Sequence, residues 1–272
     1  MCASVPSVPA AAGRQSLIES HIFGMDTASD LRGFTLTFSL AEICGALAVI
    51  LTVAWVGHFR GGFAWQANPA VEFNWHPVLM VTGLIFLYAN SALLYRVFRS
   101  ERKRKLKLAH ALLNLTSLLL VLIGLKAVFD SHDLASPPIP NLYSLHSWVG
   151  LCAVLLFAMQ WIVGFVSFLA PGLSGSLRAR YLPWHQFFGM AIFVTACGAA
   201  IMGLMEKAFF ALNPKNNEQP YSKLPPEAYL INFVGLLLAV FCCLVVFLLS
   251  HGGYRRPPQP EDEMLLRDTV ID

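Results

Sequence analysis

The chain has 272 residues, of which 56% are hydrophobic and 13% charged, and its formal net charge is +3. Soluble domains carry about 25% charged residues, so this chain lacks the charge needed to cover a water-exposed surface. Disorder requires low hydrophobicity and is excluded as well. A net charge this small does not indicate a nucleic-acid partner, and none is expected. The composition predicts one bundle of helices in a lipid bilayer.

Six apolar segments are long enough to cross a hydrocarbon core, which takes about 20 helical residues. The expected fold class is therefore all-α: a polytopic membrane protein with six transmembrane helices. The six-helix domain is expected over residues 36–250, between a cytosolic N-terminal tail, 1–35, and a cytosolic C-terminal tail, 251–272. The segments are 36–57, 76–97, 107–129, 146–170, 185–206 and 229–250.

The distribution of charge predicts the orientation of these spans. Residues 96–107, between the second and third spans, hold seven Lys and Arg residues and one acid, Glu101. Arg178, Arg180 and the arginines after the last span fall on the same predicted side. Cytoplasmic loops are enriched in Lys and Arg, so both termini are expected in the cytosol.

Four of the eight histidines each open a different span: His76, His110, His146 and His185. Because successive spans alternate in direction, His76 and His146 share the lumenal depth, and His110 and His185 share the cytosolic depth. Paired imidazoles in a helix bundle are typical axial ligands of haem iron. Two alternatives stay open at this point. The rings could lie in the headgroup region, or they could form a proton or metal path in a haem-free six-helix transporter.

The segments around these histidines resemble the cytochrome b561 family of ascorbate-dependent transmembrane electron carriers. The resemblance implies a four-helix haem-binding core and two haem b groups, one held by His76 and His146 and the other by His110 and His185. It also implies an ascorbate-dependent oxidoreductase. Residues 90–99 resemble the cytosolic ascorbate motif of the family, so Arg96 is a candidate contact for a haem propionate or ascorbate. The other matching stretches are 73–77, 107–110, 143–148 and 176–178.

The electron donor is expected to be small, because the chain has no glycine-rich dinucleotide fingerprint. Lys103 and Lys107 lie four residues apart on one helical face, one turn before His110. Positive charge there suits the ascorbate monoanion, although topology alone also requires basic residues on this side. The resemblance assigns ascorbate contacts to Lys103, Lys107 and Arg178.

The third connection, 130–143, is expected to be a lumenal loop beside His146. His132 and Asn141 are the candidate contacts for the lumenal acceptor, and Asp130 and Asp133 lie in the same loop. Oxygen and imidazole ligands could hold a ferric chelate, whereas a plain solvated loop explains the aspartates equally well. The acceptor, monodehydroascorbate or a ferric chelate, stays open.

Two features bear on location and assembly. The lumen-positive potential of acidified organelles favours electron movement from the cytosol to the lumen, so the expected membrane is that of secretory vesicles or of late endosomes and lysosomes. Residues 261–266 also fit the acidic dileucine pattern of endosomal and lysosomal sorting. A monomer and a homodimer both remain open. Glu42, inside the first span, is expected to face the bundle or to pair with another group, and the sequence names no partner for it.

Overall fold

The computed structural model describes residues 31–170, 173–215 and 218–257. Six helices in these ranges are long and apolar enough to cross a membrane, which confirms the predicted all-α polytopic fold. Two one-turn 3₁₀ helices, Tyr221–Lys223 and Gly252–Tyr254, flank the last span. The six spans are Phe34–Phe59, Pro69–Val97, Lys103–Asp133, Leu145–Phe168, Gly175–Ala211 and Pro226–Ser250.

The third and fifth helices extend at least four residues beyond their predicted apolar segments at both ends. The third helix begins at Lys103 and ends at Asp133, and the fifth begins at Gly175. Asp130, His132 and Asp133 therefore lie on the last helical turn rather than in the expected loop, and Arg178 lies on a helix as well. Hydropathy marks the hydrocarbon core, but a helix can continue into the polar interface, where charged side chains are tolerated.

The second span is irregular along its length. It begins with a one-turn helix, Pro69–Glu72, and its middle, Val81–Leu87, is a π-helix between α-helical segments Trp75–Met80 and Tyr88–Val97. Ser117 of the third span donates to the carbonyl of Gly83 at 2.5 Å, and a Cβ on Gly83 would lie 3.1 Å from Leu120 Cβ. Small residues allow such close helix contact in membranes.

The second to fifth spans form the centre of the bundle, with the second packed on the third and the fourth on the fifth. The first and sixth spans pack against each other and cover one side. Trp55, Phe157 and Phe241 fill the interior. The outer surface is apolar, as a lipid-facing surface must be, and includes Leu112 and Leu145, which are 62% and 69% exposed.

One end of the bundle gathers the basic segment 96–107 and both ends of the described chain. The Tyr254 hydroxyl donates to the carbonyl of Arg32 at 2.9 Å, and Arg99 donates to the carbonyl of Gly253 at 3.1 Å. We call this the basic end, and we call the other end, where Arg60 and Glu227 lie, the opposite end.

Candidate functional site

His76 and His146 lie together near the opposite end of the bundle. Their ring centres are 6.1 Å apart. His76 Nδ1 lies 3.2 Å from the carbonyl oxygen of Gly124, and His146 Nδ1 lies 2.8 Å from that of Ala199. A carbonyl only accepts, so both Nδ1 atoms carry the proton and both Nε2 atoms keep a lone pair for a metal.

His110 and His185 form a second pair towards the basic end, with ring centres 6.2 Å apart. His110 Nδ1 donates to the carbonyl of Ser91 at 2.9 Å, and the amide nitrogen of Asn114 lies 3.3 Å from its Nε2. Within the described part of the chain, His185 Nδ1 is buried without a hydrogen-bond partner. The ring of Phe168 lies 5.2 Å from that of His185.

The spacing of each pair fits a single metal ion between two imidazoles. Metal–nitrogen bonds of about 2 Å on each side, with ring radii of about 1 Å, give about 6 Å between ring centres. The observed separations are 6.1 and 6.2 Å. The described residues hold no group of three or more His, Cys, Asp or Glu side chains suited to a metal. Two protein ligands for each ion suit haem iron, whose remaining four ligands come from the porphyrin.

Two glycines make room for these rings on the facing helices. A Cβ on Gly203 would lie 2.6 Å from His146 Cε1, and a Cβ on Gly164 would lie 2.9 Å from His185 Cε1. The fourth and fifth spans therefore pack in the same way in both directions. His146 of the fourth span lies against Gly203 of the fifth, and His185 of the fifth lies against Gly164 of the fourth. The sequence reasoning missed both glycines, although a glycine inside an apolar span is a recognisable signal of close packing.

Three cations lie along the helices that carry the second pair. Lys107, one turn before His110, donates from Nζ to the carbonyl of Phe168 at 3.4 Å. Lys103 lies one turn earlier and is exposed. Arg178, two turns before His185, is half-buried, and the described residues give it no ion pair. The structure therefore brings Lys103, Lys107 and Arg178 to the same end as the His110–His185 pair.

Arg96 has a contact that the sequence did not predict. Its guanidinium donates to the carbonyl of His251 at 2.8 Å and also to that of Leu249. These carbonyls end the sixth span, where a helix leaves its last acceptors without partners. The structure thus engages Arg96 in capping the last helix, whereas the sequence suggested contact with a propionate or ascorbate.

His132 and Asn141 meet at the opposite end. His132 Nδ1 donates to Asn141 Oδ1 at 2.9 Å, and the Asn141 amide donates to Asp133 at 2.8 Å. Asp130 accepts from Gln66 at 2.8 Å and pairs with Lys126. The predicted pair is therefore adjacent, while both aspartates already have protein partners.

Glu42 is half-buried on the first span and lies near the Asn90 side chain of the second span. One oxygen, Oε1, is buried and has no hydrogen-bond partner among the described residues. The Asn90 amide donates instead to the carbonyl of Phe86 in its own span, at 3.1 Å.

The fold and these histidines define a six-helix membrane protein with one imidazole pair near each end of its central four helices. The family model for eukaryotic cytochrome b561 matches residues 75–211, which contain all four histidines. The chain belongs to the cytochrome b561 family.

Three relatives illustrate this membership. The chain is 45% identical over 230 residues to the human transmembrane ascorbate-dependent reductase CYB561, covering 85% of this chain and 88% of the relative. It is 43% identical over 243 residues to the lysosomal membrane ascorbate-dependent ferrireductase CYB561A3 of Danio rerio, covering 88% and 97%. It is 44% identical over 225 residues to the plasma membrane ascorbate-dependent reductase CYBRD1 of Xenopus laevis, covering 82% and 77%.

Proposed function

We propose that this chain carries electrons from cytosolic ascorbate through two haem b groups to an acceptor in the lumen. His76 and His146 hold the lumenal haem, and His110 and His185 hold the cytosolic haem. The observation that carries the proposal is the pair of imidazole separations, 6.1 and 6.2 Å, on four consecutive spans.

The coarser part of this function follows from the family. As a member of the cytochrome b561 family, the chain is a transmembrane oxidoreductase that binds haem b and depends on ascorbate. The chain is a multi-pass membrane protein.

The histidines determine what kind of electron transfer this is. Bound haem iron supplies a one-electron couple between its ferric and ferrous states. His76 with His146, and His110 with His185, would each hold one haem iron through two imidazoles, and such a haem would supply electron transfer without a bond between iron and substrate. The Nδ1 contacts of His76, His110 and His146 fix the ring orientation and leave Nε2 unprotonated.

Lys103, Lys107 and Arg178 bind the donor in this proposal. Ascorbate is a monoanion at neutral pH, and loss of one electron and one proton converts it to the monodehydroascorbate radical anion. Cations beside the His110–His185 pair raise the local concentration of such an anion. The placement of all three at the basic end supports this assignment.

The basic end faces the cytosol in this proposal, following the positive-inside rule. An electron moving to the lumen is favoured by about 2.3 kcal/mol for each 100 mV of lumen-positive potential. Acidified organelles supply that sign, which suits secretory vesicles and late endosomes or lysosomes. The sorting pattern at 261–266 lies outside the described residues.

His132 and Asn141 bind the lumenal acceptor in this proposal. They adjoin each other through the 2.9 Å contact at the opposite end. Monodehydroascorbate, which takes up one electron and one proton to become ascorbate, and a ferric chelate are the two candidates. The ferrireductase name of the Danio rerio relative supports the second.

Reconstituted vesicles of known orientation test the proposal. Ascorbate is placed on the side of the basic end, and ferric citrate or monodehydroascorbate on the other. We expect acceptor reduction from this arrangement and a much lower rate from the reverse one. A haem-free transporter would reduce neither acceptor in either arrangement.

A further inference from the structure

Lys207 is a cation at the opposite end that the proposed mechanism does not yet use. It lies on the fifth span, and its Nζ is 3.8 Å from the ring centre of Phe73. The Phe73 ring is in turn 6.0 Å from the ring of His76. The ammonium therefore lies one aromatic ring away from an imidazole of the first histidine pair.

The neighbouring carboxylates are already satisfied by other groups. Glu227 accepts from Trp55 Nε1 at 2.8 Å through one oxygen and pairs with Arg60 through the other. Glu206, beside Lys207 in the chain, accepts from the Ser144 hydroxyl at 3.0 Å. Across the described residues, no carboxylate lies within ion-pair distance of Lys207.

The result is a local excess of positive charge at a half-buried position. Lys207 interacts electrostatically with both Arg60 and Glu227, and Glu227 already pairs with Arg60. A cation over an aromatic face gains about 0.5–2 kcal/mol, which does not replace the ion pair that a partly desolvated ammonium requires. An anionic group in contact with Lys207 would complete the site.

We propose that Lys207 binds a carboxylate at the lumenal edge of the His76–His146 site. This inference rests on the proposed function. Two sources offer the same chemistry there: a propionate of the lumenal haem, and a carboxylate of a polycarboxylate ferric chelate such as ferric citrate. In either case the ammonium donates charge-assisted hydrogen bonds to carboxylate oxygens.

The test uses the full-length haem-loaded protein with Lys207→Met, which keeps the length of the side chain and removes its charge. Lys207→Gln is a second neutral variant in case the first does not fold, and Lys207→Arg should restore the wild-type values. Lys223→Met is the matched control, because Lys223 is an exposed lysine at the same end that contacts the carbonyl of Glu218.

Two readouts separate the sources. If Lys207 binds a propionate, loss of its charge lowers the midpoint potential of the lumenal haem, because a nearby cation stabilises the reduced form. The KM for ferric citrate then stays the same. If Lys207 binds the chelate, the KM for ferric citrate rises about tenfold, as expected for a lost charged hydrogen bond. The KM for neutral tris(maltolato)iron(III) and the potential then stay unchanged.

Suppose that the wild-type protein holds haem and is reduced by ascorbate. If the neutral variants then keep the wild-type potential and the wild-type KM for ferric citrate, this inference is overturned and the proposed function is not. The same changes in Lys223→Met would also overturn it, because they would reflect general surface charge. A wild-type protein without haem would overturn both this inference and the proposed function.

Discussion

His110 donates from Nδ1 to the backbone carbonyl of Ser91 at 2.9 Å, and this contact decides which ring nitrogen can bind a metal. His76 and His146 have equivalent contacts with the carbonyls of Gly124 and Ala199. Three helix backbones thus select the same tautomer, with Nε2 unprotonated, in histidines from three different spans. Since the acceptors are main-chain atoms, this selection does not depend on the side chains of those positions.

Replacement of single histidines should remove haems one at a time. His76→Ala or His146→Ala is expected to lower the haem content from two to one per chain and to remove the lumenal haem signal, because iron loses an axial ligand. His110→Ala or His185→Ala should remove the other signal. Haem content by pyridine haemochrome assay and electron paramagnetic resonance measure this. His58→Ala, at an exposed position, is the control, and equal loss of both signals from every variant would contradict the pairing.

Gly203→Ala should disturb the lumenal haem without removing any ligand. The new Cβ would lie 2.6 Å from His146 Cε1, so the ring must move. Gly164→Ala should disturb the other haem through His185 at 2.9 Å. The control is Gly198→Ala, on the same helix as Gly203, where a Cβ meets nothing within 4 Å. We expect altered spectra in the first two variants only; a normal spectrum for Gly203→Ala would contradict the close packing.

Removal of two lysines should slow the entry of electrons. In the double variant Lys103→Ala/Lys107→Ala, haem reduction by ascorbate is expected to slow about tenfold at low salt, because the protein loses two positive charges that attract the ascorbate anion. The haem spectrum should stay intact. Stopped-flow absorbance measures the rate. Lys105→Ala is the matched control, since Lys105 is exposed and pairs with Glu101 at 3.2 Å. An equal rate in the double variant and the wild type would exclude this donor site.

Arg96→Met should destabilise the bundle. The guanidinium links the second span to carbonyls of Leu249 and His251, and a hydrogen bond to a charged group contributes about 1.5–3 kcal/mol. Thermal unfolding in detergent should begin at lower temperature, while reduction by ascorbate keeps its rate. Arg104→Met, at an exposed position, is the control. Normal stability with slow reduction would instead support the contact with ascorbate or a propionate that the sequence suggested.

The sequence predicted the features that depend on local hydropathy and on the alternating direction of successive spans. Apolar length predicted the six spans, and alternation of helix direction predicted that His76 would lie level with His146 and His110 with His185. The ring separations agree with that pairing. Their role as haem ligands stays a prediction.

Other features depend on contacts between distant segments and could not be predicted in this way. The helical extension through His132 lies beyond the apolar segment, so hydropathy did not detect it. Arg96 meets the end of the sixth span only after the whole bundle has formed. The proximity of Lys207 to Phe73 depends on how the second and fifth spans pack, and no local pattern in the sequence indicates it.

The central claim is that the chain holds two haems that ascorbate reduces. The most direct test is the visible spectrum and haem content of the purified protein, expressed with adequate haem and measured before and after addition of ascorbate. The proposed function predicts a Soret band, two haems per chain, and reduction of both by ascorbate. A protein that folds but shows no Soret band, or whose haems ascorbate does not reduce, would contradict it.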